Sequence, residues 1–211
     1  MLEHINNKKR QKILKFKNLD DKIRSLIGEI LIRTLISQKF NIPNYKIDIK
    51  ENQFGKPFLN NKKNFKFNIS HSDEYVICAI DKNNIGIDIE LVKPLDYKNI
   101  AKNFFTRDEY NYITSLNSLN RFYEIWTRKE SYVKAIGKGL YINLDSFNVN
   151  LRKNIHGVMK IKEYYIKEYN LDYNFKISVC SPNDNFPTIM IEIDLNELIN
   201  NFFKINNIQL K

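Results

Sequence analysis

Apolar residues in the first quarter of the chain recur at helical spacing. Ile23, Leu26, Ile27, Ile30, Leu31 and Leu35 fall near i, i+3, i+4 positions, which predicts a helix that starts near Asp20, a capping residue, and is ended by Pro43. An extended stretch over 45–50 follows, then a turn at Gly55-Lys56-Pro57. Three apolar runs come next, over 65–70, 75–80 and 85–90, parted by His71-Ser72-Asp73-Glu74 and by Asp81-Lys82-Asn83-Asn84. Short polar breaks of this kind predict hairpins, so the three runs are expected to form an antiparallel meander.

Lys93-Pro94 marks a boundary, after which the pattern recurs. Helical spacing returns over 106–115 and 121–136. Strand-like runs follow over 147–151, 158–169 (with an interruption), 173–180 and 188–194, and a short helix is expected over 196–203. Helix then meander, twice over, predicts an α+β fold of two similar halves, 1–96 and 97–211.

Three segments carry residues able to do chemistry. In Gly86-Ile87-Asp88-Ile89-Glu90, strand alternation puts both carboxylates on one face and both isoleucines on the other. Two like charges on one face call for a cation, and oxygen-only ligands suit Mg²⁺. The plain alternative is a solvent-facing edge strand. Along the helix over 121–136, Trp126, Glu130 and Lys134 follow at i, i+4, i+8 beside the buried stripe. Glu130 and Lys134 could be a surface ion pair, worth only about 0.3–0.5 kcal/mol. They could equally supply a third carboxylate and a cation for phosphoryl transfer, Glu130 taking a proton and Lys134 neutralising a leaving phosphate. In Phe67-Asn68-Ile69-Ser70-His71-Ser72, Ser70 and His71 could bind phosphate oxygens or simply build a polar turn. His4 and His156 have no such context and are read as surface residues.

Composition narrows the partners only a little. The 211 residues carry 34 Lys+Arg against 24 Asp+Glu, a formal charge of +10, which favours anionic partners. Asn, Ile and Lys together fill 88 positions, the trio an AT-rich genome encodes, so part of the lysine excess is compositional. Only 7 of the basic residues are Arg, few for a protein that reads bases or clamps nucleic-acid phosphates. No run of 18 apolar residues is present, the N-terminal segment lacks a secretory h-region, and two cysteines make neither a disulfide framework nor a zinc cluster. A cytoplasmic location is expected.

Taken in order, Gly55-Lys56-Pro57, 68–72, 86–90, Phe105-Thr106-Arg107-Asp108-Glu109 and 126–139 have the sequence and spacing of 4′-phosphopantetheinyl transferases. The chain resembles the larger, two-halved, surfactin-synthetase-activating type from about Lys8 to about Asp194. The resemblance implies two helix-plus-antiparallel-sheet halves related by a pseudo-twofold. It also implies a Mg²⁺-dependent enzyme that moves the phosphopantetheine arm of coenzyme A to a serine of an apo acyl or peptidyl carrier protein and releases 3′,5′-ADP. By matching position, Asp88, Glu90 and Glu130 are the expected metal ligands, and Glu130, Lys134 and Glu109 the expected catalytic residues. Lys9, Lys12, Arg24, Ser25, Gly55, Lys56, Pro57, Ser70 and His71 fall on coenzyme A contacts. Thr106-x-x-Glu109 is also a capping box, which gives Glu109 a structural alternative. Relatives carry a first strand and loop ahead of the Lys9 and Lys12 region, and this chain begins past them. The larger type implies a monomer.

Two other readings use the same residues. A metal-dependent nuclease would share Asp88, Glu90 and Glu130 but cut nucleic acid. A basic nucleic-acid-binding module would bind in a steeply salt-dependent way.

Overall fold

The computed structural model describes residues 1–206, the side chain of Leu140 excepted. Two helices open the chain, α1 (Asn7–Leu14) and α2 (Leu19–Phe40). The periodicity predicts α2, but its cap is Asn18, whose side chain accepts the Asp20 amide, leaving Asp20 and Asp21 to favour the positive helix end. The helix stops ahead of Pro43, where Asn41 turns left-handed at φ 50°. α1 has no counterpart in the predicted pattern, because it is mostly polar and buries only Ile13.

A small ribbon follows, β1 (Ile49–Glu51) against β2 (Pro57–Leu59). Next is the hairpin of β3 (Lys66–Ser72) and β4 (Tyr75–Asp81), antiparallel from Lys66↔Asp81 to Ser72↔Tyr75. Asp73 takes the left-handed conformation that this two-residue turn needs.

The predicted meander ends there. β5 (Gly86–Leu91) takes its backbone partner from the far end of the chain, β8 (Phe175–Ser181), antiparallel from Gly86↔Cys180 to Leu91↔Phe175. β6 (Val158–Ile161) and β7 (Tyr164–Tyr169) complete a sheet in the order β5-β8-β7-β6. Side chains, not a backbone ladder, join β3 to β5. Asn68, Ser70 and Ser72 accept the amides of Ile87, Ile89 and Leu91 at 2.8, 3.4 and 3.0 Å. The register advances by two on both strands, so β3 and β5 run in the same direction.

Three helices precede the second sheet's remaining strands: α3 (Tyr97–Phe104), α4 (Arg107–Thr114) and α5 (Leu119–Ile136). α5 lies on β5 and β8, with Phe122, Ile125 and Ala135 in the core beside Met159, Ile166 and Cys180. Burying each such large apolar side chain is worth about 1.5–3 kcal/mol. Gly86 sets how closely helix and strand approach. A β-carbon there would stand 2.0 Å from the Ser131 carbonyl oxygen, which no side chain tolerates.

Two expected strands are absent from the described residues. Over 147–151 the backbone turns to side chains: the Val149 amide donates to Glu109, the Phe147 carbonyl accepts from Lys129 and the Val149 carbonyl accepts from Arg128. Over 188–194 the chain is exposed and has no strand partner among the described residues; Asp194 then caps α6 (Leu195–Lys204). The result is a mixed fold of helices and antiparallel sheets in two halves, one built around α2 and the β3–β4 hairpin, the other around α5 and the four-stranded sheet. Among the described residues, no helix is long and apolar enough to cross a membrane.

Candidate active site

The polar teeth of β3, the carboxylates of β5 and one flank of α5 meet in a cleft of about 320 Å³. Ser70, His71, Asp88, Glu90, Glu130 and Lys134 line it, with Trp126 at one wall. Residues parted by up to 64 positions come together because β5 is sandwiched between the hairpin on one edge and β8 on the other, under α5.

Asp88 is the centre of the arrangement and is 3% exposed. Its Oδ1 accepts from Lys134 Nζ at 2.6 Å and from Ser70 Oγ at 2.9 Å. Its Oδ2 is buried and has no hydrogen-bond partner. A buried carboxylate oxygen left bare is costly and points to a missing cation or donor. Burial raises the Asp88 pKa, against the pull of Lys134 and Ser70. Glu90, whose Oε2 accepts from Ser72 Oγ at 3.3 Å, is raised to about 7 by burial and then by the Asp88 charge. Glu130 is raised by the same two causes in the same order. Glu90 and Glu130 therefore both feel the Asp88 charge, and Lys134 alone does not neutralise it. Among the described residues, no three His, Cys, Asp or Glu side chains already converge closely enough to hold a metal ion, and Lys134 occupies the Asp88 oxygen on its side.

His71 stands exposed at the rim. Its pKa is lowered by partial desolvation and then by Arg24 and Lys134. Arg24 is not in the cleft. It donates to the Asp73 carbonyl at 2.8 Å and pairs with Asp21 at 2.7 Å, pinning the β3–β4 turn. Ser25 is buried in α2 beside it. Lys9 and Lys12 line neither this cleft nor its neighbour. Lys12 lies 3.6 Å from Glu51, whose other oxygen takes Lys8 at 2.7 Å, and burial lowers the Lys9 pKa.

A second cleft of about 340 Å³ adjoins the first and shares Glu130 and Lys134 with it. Gly55, Lys56 and Pro57 form part of its wall, as does Asn68. Gly55 adopts φ 85°, a conformation glycine takes without strain, in a loop tied by Asn52 Oδ1 to the Phe54 and Lys56 amides. Lys56, expected as a coenzyme A contact, lines this cleft with its ammonium turned to backbone carbonyls. Lys56 Nζ donates to the carbonyls of Ile85 (2.9 Å), Lys134 (2.6 Å) and Ala135 (3.1 Å), which uses every proton it has. Burial lowers its pKa to about 8, and Lys66 adds to the fall.

Glu109 lines neither cleft. It is fully buried, completes the capping box with Thr106, pairs with Lys129 at 2.8 Å and accepts the Val149 amide at 2.7 Å. With both oxygens engaged away from the cleft, it holds α4, α5 and the 144–149 segment together. Asn52, Asn68 and Ser72 are the polar residues that the motif reading passed over. The alternation of Asn68, Ser70 and Ser72 along one strand face was the available signal for two of them.

A family model described as the 4′-phosphopantetheinyl transferase superfamily matches residues 84–188, and one for the N-terminal part of 4′-phosphopantetheinyl transferase matches 1–83. The chain is 39% identical over 206 residues to 4′-phosphopantetheinyl transferase gsp of Aneurinibacillus migulanus, covering 94% of this chain and 86% of that protein. It is 35% identical over 205 residues to 4′-phosphopantetheinyl transferase Sfp of Bacillus subtilis strain 168, covering 94% and 91%. To the L-aminoadipate-semialdehyde dehydrogenase-phosphopantetheinyl transferase of Mus musculus it is 35% identical over 156 residues, covering 66% and 50%.

Proposed function

Because the chain belongs to the 4′-phosphopantetheinyl transferase superfamily and is an enzyme of that kind, we propose that it transfers the phosphopantetheine arm of coenzyme A to a serine of an apo acyl or peptidyl carrier protein. 3′,5′-ADP is the second product. The observation that carries the reading is the Asp88 carboxylate, bonded to Lys134 on one oxygen and bare on the other, inside a cleft lined by two more carboxylates.

The donor set fits Mg²⁺. Asp88 Oδ2 lacks a partner, Glu90 and Glu130 are both pushed towards protonation by burial and then by the Asp88 charge, and all three offer oxygen alone. Asp88, Glu90 and Glu130 would hold the ion, which when bound neutralises pyrophosphate oxygens. The chain's own residues do the rest. His71 meets the pyrophosphate at the rim with Ser70 buried beneath it, and the loop at Gly55 and Pro57 walls the nucleotide side. The carrier's serine oxygen attacks the phosphorus bearing the pantetheine arm, and its proton passes to a Glu130 carboxylate oxygen, made more basic by burial. The new serine O–P bond forms as the bond to the bridging pyrophosphate oxygen breaks. Lys134 Nζ stabilises the charge left on the departing 3′,5′-ADP. Such transfers depend on positioning and charge neutralisation more than on covalent help from the protein.

The half built around α2 and the hairpin supplies Ser70 and His71, and the half built around α5 and the four-stranded sheet supplies Asp88 and Glu90 on β5, Glu130 and Lys134 on α5, and the carrier-protein contacts. One chain thus completes the site, as a cytoplasmic monomer would. The +10 charge suits an acidic carrier surface and the donor's phosphates. A thermal-shift comparison tests the reading, since a specific ligand raises the melting temperature of the folded state. Coenzyme A with Mg²⁺ is expected to stabilise the protein and an oligonucleotide to leave it unchanged. The reverse pattern contradicts the transferase and favours a nucleic-acid protein.

A further inference from the structure

The C-terminal end of α5 is held by the other half of the molecule. A helix leaves its last carbonyls without intrahelical partners. In α5 the Val133 carbonyl takes the Gly137 amide, and Gly137 itself turns left-handed at φ 77°. The Lys134 and Ala135 carbonyls take Lys56 Nζ, and the Gly137 carbonyl takes Asn52 Nδ2 at 3.0 Å. The third proton of Lys56 goes to the Ile85 carbonyl, one residue before β5 begins. A single ammonium therefore ties the last turn of α5 to the start of β5.

Space and charge both serve this tie. A β-carbon at Gly137 would stand 2.8 Å from Lys56 Cδ, so the glycine makes room for the lysine stem. The negative end of the helix dipole favours a cation at this point. Gly86 lets β5 approach the α5 backbone, and Lys56 fastens the two beside it. The residue whose carbonyl Lys56 holds at 2.6 Å is Lys134, whose own ammonium lies 2.6 Å from Asp88.

We propose that Lys56 is a positioning residue, supported by Asn52, that fixes the register of α5 against β5 and so sets Lys134 and Glu130 against Asp88. The proposal rests on the transferase reading for its kinetic consequence, not for its geometry. It gives Lys56 a task distinct from ligand contact, because no proton is left for a phosphate. A group that only orients catalytic residues lowers kcat, whereas one that binds the donor raises KM.

Lys56→Met keeps the stem and removes the ammonium. Transfer from coenzyme A to an apo carrier protein is expected to lose roughly 10–100-fold in kcat with KM for coenzyme A nearly unchanged. Hydrogen exchange at the last-turn amides of α5 should also speed up. A raised KM with kcat retained, or no change in either, overturns the proposal. If Lys56→Met does not fold, Asn52→Ala decides. It cuts the bond to Gly137 and the Oδ1 bonds to the Phe54 and Lys56 amides while keeping the Lys56 ammonium, and should give a smaller fall in kcat at constant KM; an unchanged kcat overturns the proposal. If the wild-type protein transfers nothing, the transferase reading fails, and exchange at α5 in Lys56→Met still tests the clamp by itself. Unaltered exchange there overturns it.

Discussion

Lys134 Nζ lies 2.6 Å from Asp88 Oδ1, across the junction of α5 and β5, while Asp88 Oδ2 is buried without a partner. The pair is lopsided: Asp88 is enclosed, whereas the Lys134 side chain is 28% exposed. Lys134 can therefore swing towards an incoming anion, provided something else takes over the Asp88 charge. Stability and function pull apart at this point.

Asp88→Asn separates them. The substitution removes a charge that burial already disfavours and keeps the shape of the side chain. Transfer activity is expected to fall by about 100-fold or more, since charge stabilisation is commonly the largest catalytic contribution. The melting temperature should hold or rise, as happens when a functionally strained site is relaxed. Calorimetry alongside carrier modification checks both; a large loss of stability with activity retained contradicts the assignment.

The Glu90 carboxyl gives a pH dependence with a definite sign. Its folded pKa is about 7, above the ordinary value of 4.5. The folded, cation-free protein therefore holds a proton that the unfolded chain gives up at lower pH. Its stability from this group is full below about 4.5 and is lost as pH rises through about 7. A divalent cation needs the ionised carboxylate, so Mg²⁺ binding should tighten over the same rise and release a proton. Melting curves with and without Mg²⁺ between about pH 5.5 and 8 should diverge as pH increases. Curves that stay parallel exclude Glu90 from the cation site.

Gly86→Ala tests the contact that brings strand and helix together. The new methyl would meet the Ser131 oxygen and the Ala135 nitrogen, at 2.0 and 2.4 Å in the unrelaxed structure. Backbone cannot give way as a side chain can, so a loss of about 3 kcal/mol or more is expected, the upper end of overpacking costs. Urea unfolding measures it. Wild-type stability would mean that α5 does not press on β5 as described.

Glu109→Ala separates scaffold from chemistry. It leaves the Lys129 ammonium, which is fully buried, without its carboxylate. Breaking one side of a buried pair costs about 3–5 kcal/mol, so the melting temperature should drop steeply. At a temperature where the variant stays folded, kcat should remain near the wild-type value. A kcat loss beyond the folded fraction would return Glu109 to the reaction.

Much of this organisation can be read from local pattern. Helix α5 follows from its apolar stripe and Gly137, and β3, β4 and β5 from their apolar runs. The flank of Trp126, Glu130 and Lys134 follows from helical spacing, and all three do line one cleft. What local pattern misses are exchanges of partner between distant segments. β5 leaves its sequence neighbour for β8 because the side chains of Asn68, Ser70 and Ser72 occupy the backbone bonds along its other edge. Residues 147–151 alternate like a strand, yet Glu109 and Lys129 take the bonds a neighbouring strand would take. Lys56 looks like a free cation until the end of α5 arrives from nearly eighty residues away. In each case a polar side chain stands in for a backbone partner, and hydrophobic periodicity carries no trace of that substitution.

The most direct measurement is the mass of an apo acyl or peptidyl carrier protein after incubation with the enzyme, coenzyme A and Mg²⁺ at neutral pH, across a panel of carriers from fatty acid, polyketide and nonribosomal peptide synthesis. At least one carrier is expected to gain the mass of one phosphopantetheine, on serine, with 3′,5′-ADP released in equal amount. The gain should vanish with Asp88→Ala or Glu130→Ala. No gain on any carrier, or an undiminished gain with both variants, would contradict the account.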